Sequence, residues 1–581
     1  MTNLSLSRKD TVWLLLVATL VLFYLVVAGA ANADLTVGRF ALFMDERITF
    51  DGVKNILHPA GWSHFLWSIA DGGDHRYGRS LWNSMALFCA LPEYFFGEPG
   101  QIFAGRMSGV VILLSAFLVL TFTFVKRWYL RFLLMASLLA MPYADYYMSM
   151  PKPEPLQMLF IAIFLYFFRK EEMSFRGSYW IFLGLAFGTK ISALPLVGVF
   201  GAAAIIKGFS RRGLDQSVCE LLRAAGFFLA GLALAVPILL KPVAISLLLF
   251  CLFDTLVTRK LRIPQSAANV TMAALLIAGN GLAAWWSIYL GEGSGLAVWV
   301  GNTFLNTGHG SDLRSIGFGS WVDFFVHDWM VAPAALTALL LAIVLALLAC
   351  FGIRQVQKSG VPEGAADAVP ALVLLSGLAL VLAIFSGVHR LWGFYLFPGT
   401  ILALVGLFGL VEIHLPEKGC CPGREDRSAG RYLSLSALAL VAVITVCWWF
   451  PLSIQKYRQL ARRTAAPQYR DDYLSYLKLT DFLAGYADGK KGAVSVSFDP
   501  SLFIPVSCPK YKITEFWGEG PHWGEGVDVV VVAKDNAPCS VVPNGSPGSA
   551  PTLAEGSEYD KRYERRLRLP NGGEVFVARG E

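Results

Sequence analysis

Charge is scarce in this 581-residue chain: Asp, Glu, Lys and Arg make up only 16% of it, where a soluble protein carries roughly a quarter. With 55% hydrophobic residues, the sequence cannot give every apolar side chain a soluble core to hide in. Metal and redox cysteine patterns are missing too. The nine cysteines include no CxxC and no Cys/His ligand spacing, which excludes zinc-ribbon and thioredoxin-like readings. No Lys/Arg-rich arm with interleaved aromatics occurs, so the net charge of +7 calls for no nucleic acid partner. Basic loops on one side of a membrane explain that charge. No internal repeat is visible.

What the chain has instead is apolar runs of about 20 residues, recurring from residue 12 to residue 451. That length crosses a bilayer as a helix, so the sequence predicts a mainly α, polytopic membrane protein. The first run, TVWLLLVATLVLFYLVVAGA, is longer than the apolar stretch of a signal peptide, about 7–15 residues. It ends in a small-residue Ala-Asn-Ala-Asp patch compatible with cleavage, but its length favours a retained span.

Spans are expected at about 12–31, 104–125, 130–148, 155–168, a pair within 179–206, 223–240, 242–258, 267–290, 331–351, 369–386, 394–413 and 432–451. Basic clusters then choose the cytoplasmic side. They are Arg8/Lys9, Lys126/Arg127/Arg131, Arg169/Lys170, Lys207/Arg211/Arg212, Arg259/Lys260/Arg262, Arg354/Lys358 and Arg424/Arg427/Arg431. All fall on one side only if 179–206 enters and returns, turning near Lys190. The expectation is thus about thirteen helices, with the N-terminus inside and the C-terminus outside.

Residues 1–451 form the expected membrane domain. Its first outer loop, 32–103, is too long for a connector and reads as interfacial amphipathic helices. After residue 452 the composition becomes that of a soluble domain. YRDDYLSYLKLTDFLAGY has helical period, AVSVSF, VDVVVVAK and EVFVAR read as strands, and LPNGGE as a hairpin turn. Residues 452–581 are therefore expected as a small α/β extracytoplasmic domain. Cys89, Cys251, Cys350 and Cys447 lie in apolar runs as small hydrophobes, and adjacent Cys420 and Cys421 are too close for an ordinary disulfide. Cys508 and Cys539 can pair if their compartment is oxidising.

Polar residues at the outer ends of the spans are the candidate site. Asp45-Glu46 follows the first span. A solvated loop start would explain the pair, and so would a carboxylate placed at lipid head groups to act as a general base. His58-Pro59 fits a helix N-terminus or a substrate contact. In PKPEPLQ, Lys152 and Glu154 stand at the mouth of a helix, where an acid also complements the macrodipole. Lys190, inside GLAFGTKISALPLV, carries a charge into an apolar stretch and so must pair or line a cavity. His389, Arg390 and Tyr395 lie in HRLWGFYLFPG, and an Arg there is a natural phosphate ligand. Carboxylates and cations on one face suit a polyprenyl-phosphate sugar donor: cations for the leaving phosphate, a carboxylate for an acceptor hydroxyl.

These segments resemble the GT-C-fold glycosyltransferases, and in particular the superfamily of protein O-mannosyltransferases and lipid A aminoarabinose transferases. Asp45-Glu46 in FMDERITF matches that family's Asp-Glu pair after the first span. HPAGWSHFLW matches its His/Lys-Pro-Pro segment, with Ala60 at the second Pro. FGEPGQIFAGRMSGVVILL matches the lead-in to the second span. KPEPLQ matches its Thr-Asp-x-Pro-Leu segment, with Glu154 at the Asp, and GLAFGTKISALPLV its Gly-Leu-x-x-Leu-Thr-Lys segment. The match covers roughly the first 200 residues, and the later spans by topology alone.

The resemblance implies an inverting membrane glycosyltransferase that moves a sugar from a polyprenyl-phosphate donor to a lipid, glycan or protein acceptor. It implies a bacterial inner membrane with the C-terminal domain periplasmic or extracellular. Asp45 is then the base, with Glu46 and Glu154 shaping the acceptor and sugar pocket; His58, Lys152 and Tyr395 are further candidate substrate-binding residues. Lys190, His389 and Arg390 are assigned to the phosphate. Such enzymes differ in whether their carboxylates hold a divalent cation, Mg or Mn, so a metal on Asp45 and Glu154 stays open. The competing class is a secondary transporter that uses membrane carboxylates and Lys190 as a relay; it calls for repeats and matched broken helices.

Overall fold

The computed structural model describes residues 8–33, 44–70, 79–174, 177–211, 214–236, 334–357, 365–387, 393–415, 427–455, 467–490, 492–498, 511–515, 526–532 and 562–579. The spans expected at 242–258 and 267–290, the outer segment before residue 331, His389, Arg390, Cys508 and Cys539 lie outside the described residues. The chain divides into two compact units. The first holds residues 1–28, 69–84 and 106–456; the second holds 29–68, 85–105 and 457–581.

The helices in chain order are α1 (Arg8–Ala33), α2 (Met44–Leu57), α3 (Trp62–Ala70), α4 (Ser80–Phe124), α5 (Trp128–Ala140), α6 (Ala144–Ser149), α7 (Pro153–Lys170), α8 (Trp180–Thr189), α9 (Leu194–Arg211) and α10 (Leu214–Ala235). They continue as α11 (Ala334–Gln357), α12 (Ala365–Gly387), α13 (Phe397–His414), α14 (Arg427–Ile444) and α15 (Pro467–Asp488).

Among the described residues, four helices are long and apolar enough to cross a membrane: Arg8–Ala30, Gly100–Phe124, Phe397–His414 and Gly430–Gln455. Trp128–Ala140, Trp180–Thr189, Ile191–Lys207, Ala224–Ala235, Leu339–Phe351 and Ala368–Ala383 are apolar but shorter. These helices make the chain an integral membrane protein; the described residues do not reach the expected thirteen spans. One expected span is corrected. The helix expected over 130–148 stops at Ala140, because Pro142 cannot donate to a continuing turn. The 179–206 segment is two helices, α8 and α9, broken at an extended Lys190 (φ −156°, ψ 132°).

In the first unit, α8 and α10 cross in near backbone contact. A Cβ on Gly184 would lie 2.0 Å from the Phe228 carbonyl oxygen, and one on Gly231 would lie 2.0 Å from that of Ile181. Only glycine allows this approach, the small-residue packing favoured between helices that gain nothing from excluding water. At another end of the unit, Glu412 of α13 accepts hydrogen bonds from the backbone N–H groups of Lys126 and Arg127, both at 3.3 Å. Arg127 in turn donates to the Leu415 carbonyl at 3.1 Å, so α5 starts where α13 ends.

In the second unit, five strands form one sheet of order β2-β1-β3-β5-β4: β1 (Val494–Phe498), β2 (Tyr511–Glu515), β3 (Val529–Val532), β4 (Tyr563–Arg568) and β5 (Glu574–Ala578). β1 runs parallel to β2 and β3; β5 is antiparallel to β3 and β4. Val494, Val496, Val529, Val531, Val575 and Val577 pack with Leu479 and Leu483 of α15, the period-2 and period-3.6 faces meeting in one core.

The glycine crossing is testable. Gly231→Val overpacks it and is expected to cost about 1–3 kcal/mol, lowering the detergent melting temperature. Gly198→Ala and Gly201→Ala, where nothing lies within 4 Å of a new Cβ, should leave it unchanged or raise it, since Ala is the better helix former by about 1 kcal/mol. Equal melting of all three variants would refute close packing at α8 and α10.

Candidate functional site

The centre of the first unit's polar constellation is the broken turn between α8 and α9. A helix that stops inside an apolar bundle leaves carbonyls without partners. Here the Lys190 N–H bonds Ala186 O at 3.2 Å and the Ala193 N–H bonds Lys190 O at 3.3 Å, and Gln157, on the same face of α7 as Glu154 one turn earlier, adds a side-chain donor to both carbonyls. Its side-chain amide donates to Ala186 O at 3.2 Å and to Lys190 O at 2.5 Å. Its own carbonyl accepts from Ser192 Oγ at 3.1 Å. Thr189 donates to Leu185 O at 2.7 Å, so the 2.7 Å contact between Ser80 and Thr189 hydroxyls has Ser80 as donor. The turn is thereby fixed from both sides.

Glu154 arrives at that turn because α7 begins there. Lys152 is the extended residue before the helix, Pro153 takes the first helical position, and Glu154 stands in the first turn. Its carboxylate makes an ion pair with Lys190 Nζ, and the two side chains are 4% and 14% exposed. Lys190 Nζ also lies 5.2 Å from the centroid of the Tyr395 ring, a cation–π distance.

Tyr147 joins from α6, which lies between helices and outside the spans. Its ring stacks on Phe397 at 4.8 Å. Burial first, and then the Glu154 carboxylate beside it, raise the phenol well above its ordinary pKa, so it stays neutral. Glu154 Oε2 still accepts no hydrogen bond of normal geometry among the described residues. Lys152 is 7% exposed, with Nζ 5.9 Å from the centroid of the Tyr146 ring.

Of the residues singled out from sequence, Glu154, Lys190 and Tyr395 are thus brought together, with Lys152 two residues from Glu154. His389 and Arg390 lie outside the described residues. Asp45 and Glu46 belong to the second unit, in the first turn of α2, and their side chains also lie outside the description. His58 is in the second unit and meets Glu93. Sequence reasoning passed over Gln157, Tyr147, Ser192 and Glu93; only Gln157 left a signal, at the helical spacing from Glu154. No group of three or more His, Cys, Asp or Glu stands together among the described residues. Glu154 already carries the charge of Lys190, a poor fit for a divalent cation.

No protein-family model matches the chain, and no curated protein sequence matches it. Among solved structures, the chain is similar to the oligosaccharyltransferase of Archaeoglobus fulgidus in its apo form, at a TM-score of 0.39 and 12% identity. The similarity covers 82% of this chain and 62% of that one, so the chain spans less than two-thirds of that protein's length.

In the second unit, Cys89 of α4 is buried, with its thiol 3.4 Å from the Gln101 carbonyl oxygen. Burial first, and then the charge of Glu93, push its pKa up to about 12. At pH 8 the reactive thiolate is almost absent, so maleimide should leave Cys89 unlabelled until the protein is unfolded. Labelling of folded protein at pH 8 would contradict this environment.

The ion pair gives a second test. Removing one partner of a buried pair leaves an uncompensated charge, at a cost of about 3–5 kcal/mol. Lys190→Met should therefore be strongly destabilised in a detergent melt. Lys190→Met with Glu154→Leu should recover most of that loss. No difference between the single and double variants would mean the pair is not coupled.

Proposed function

We propose that this protein is an inverting membrane glycosyltransferase that moves a sugar from a polyprenyl-phosphate donor to a hydroxyl acceptor on a lipid, glycan or protein. The observation that carries the reading is the Glu154–Lys190 pair. Two segments that resemble GT-C motifs, KPEP and GLAFGTK, lie more than 30 residues apart in sequence yet supply one buried carboxylate and one partly buried ammonium to each other. A pair of this kind, at a helix mouth and a broken helix, is costly as mere packing.

Lys190 is proposed as the ligand of the donor phosphate. An ammonium has three N–H donors, so it serves Glu154 and a phosphate oxygen together. His389 and Arg390 are proposed to add charge-assisted contacts to the same phosphate. Tyr395 and Lys152 shape the donor side; Glu46 and His58 contact the acceptor. Asp45 is proposed as the base that takes the acceptor hydroxyl proton while that oxygen attacks C1 and the phosphate departs. The proposed setting is a bacterial inner membrane, with the C-terminal domain on the outer side.

The test is transfer of radiolabelled sugar from polyprenyl-phosphate donors in vesicles carrying the protein. General-base assistance is worth about 10²–10⁴-fold, so Asp45→Asn should lose that factor in turnover while donor binding persists. Lys190→Gln and Arg390→Ala should weaken donor binding. Near-normal turnover in Asp45→Asn would remove Asp45 as the base. Solute flux across the vesicle without any sugar transfer would replace the whole reading with a transporter.

A further inference from the structure

The second unit has its own polar constellation. α2 ends at Leu57, and the backbone N–H of His58 closes on Lys54 O at 2.8 Å. Pro59 then prevents another turn, which holds the imidazole at the helix end. From there Nε2 of His58 lies 2.6 Å from Oε1 of Glu93 on α4. The partners differ in environment: the His58 side chain is 60% exposed and that of Glu93 only 14%. The second carboxylate oxygen of Glu93 is buried and accepts no hydrogen bond among the described residues, so His58 is the partner this carboxylate has. The dyad is not an incidental surface pair.

Its chemistry follows from the inventory of donors. An ionised carboxylate only accepts, so the 2.6 Å contact makes Nε2 the N–H donor. In the neutral ring the other nitrogen, Nδ1, then carries the lone pair. The carboxylate does for His58 what such a group does for any imidazole it backs, fixing tautomer and orientation together. Around the dyad, in the same unit, Trp62 is 73% exposed, Tyr94 82%, Phe95 67% and Phe96 74%. Trp and Tyr rings sit at the head-group level of a bilayer, where one end is apolar and the other wet, and the exposed Phe95 and Phe96 add apolar surface beside Tyr94.

We infer that Glu93 is a positioning residue that holds His58 with Nδ1 as a hydrogen-bond acceptor, and that this acceptor reads a hydroxyl on the head group of an amphiphile at the membrane surface. The role deepens the proposed function and rests on it only in making that amphiphile the acceptor substrate. Asp45 is assigned to the chemical step; His58 and Glu93 are assigned to recognition.

The test keeps the two apart. Protein labelled with ¹⁵N-histidine is placed in phosphatidylcholine nanodiscs, and His58→Asn assigns the His58 resonances. The expected spectrum shows the Nε2–H tautomer. Diacylglycerol added to the disc should shift the Nδ1 signal; its O-methyl ether, identical but for the hydroxyl hydrogen, should not. Glu93→Gln keeps the shape and removes the charge, so it should mix the tautomers and abolish most of the shift, while Glu93→Asp should retain part of it. A His58 in the Nδ1–H form, or equal response to diacylglycerol and its ether, would overturn the inference. In the transfer assay, Glu93→Gln should raise KM for a hydroxyl acceptor roughly five- to tenfold, the worth of one hydrogen bond, with kcat and donor KM little changed. Absence of any sugar transfer would remove the transferase reading and leave the NMR result standing.

Discussion

An ammonium cannot stand alone among apolar helices. Insertion of a single lysine at the centre of a span costs about 2.5–3.5 kcal/mol on the most lenient scale, and the remedy chosen here organises the first unit. Glu154 has to reach Lys190, so α7 must begin at the turn between α8 and α9. That turn must break the helix to present Lys190. Gln157 adds a second donor to the Ala186 and Lys190 carbonyls because it rides on the same helix as Glu154. One charge thus dictates where a helix starts, where another stops, and which amide lies between them.

The crossing of α8 and α10 belongs to the same logic. Gly184 and Gly231 bring two backbones together with no side chain between them, which leaves α8 little freedom to slide or rotate. Lys190 is the residue immediately after α8, so its reach is set by a contact made more than one turn away. A site that depends on a single extended residue gains its precision from helices with no chemistry of their own.

Much of this was legible in the sequence, for identifiable reasons. Lys190 announced itself as a charge in an apolar run, and the one-sidedness of Lys and Arg led to the expectation of two helices within 179–206, which the structure breaks at Lys190. The three hydrophobic strands and the LPNGGE turn of the C-terminal sheet were readable from alternation and turn chemistry. β2 and β4 were not: YKITE and YERRLR are edge strands, rich in charge, and charge is what edges carry to resist pairing with other chains. The end of α5 at Ala140 was missed because the Met, Ala and Tyr side chains of MPYADYYM read as continuing the apolar run, although Pro142 breaks its backbone and Asp145 lowers its hydropathy. Tyr147 and Glu93 gave no local sign. Their partners, Phe397 and His58, are 250 and 35 residues away, and no window on the sequence spans such pairings.

The second compact unit is discontinuous: its residues 29–68 and 85–105 precede its remaining part, which begins at residue 457. About 350 residues separate the two portions, and at roughly 5–20 residues per second the ribosome needs on the order of 20–70 s to produce them. For that interval α2, α3 and the middle of α4 exist without the chain that completes their unit. Most isolated segments would be aggregation hazards over such a time. These carry exposed Trp62, Tyr94, Phe95 and Phe96, side chains that favour a bilayer surface over water, which gives the early portion somewhere to rest until the last fifth of the chain emerges.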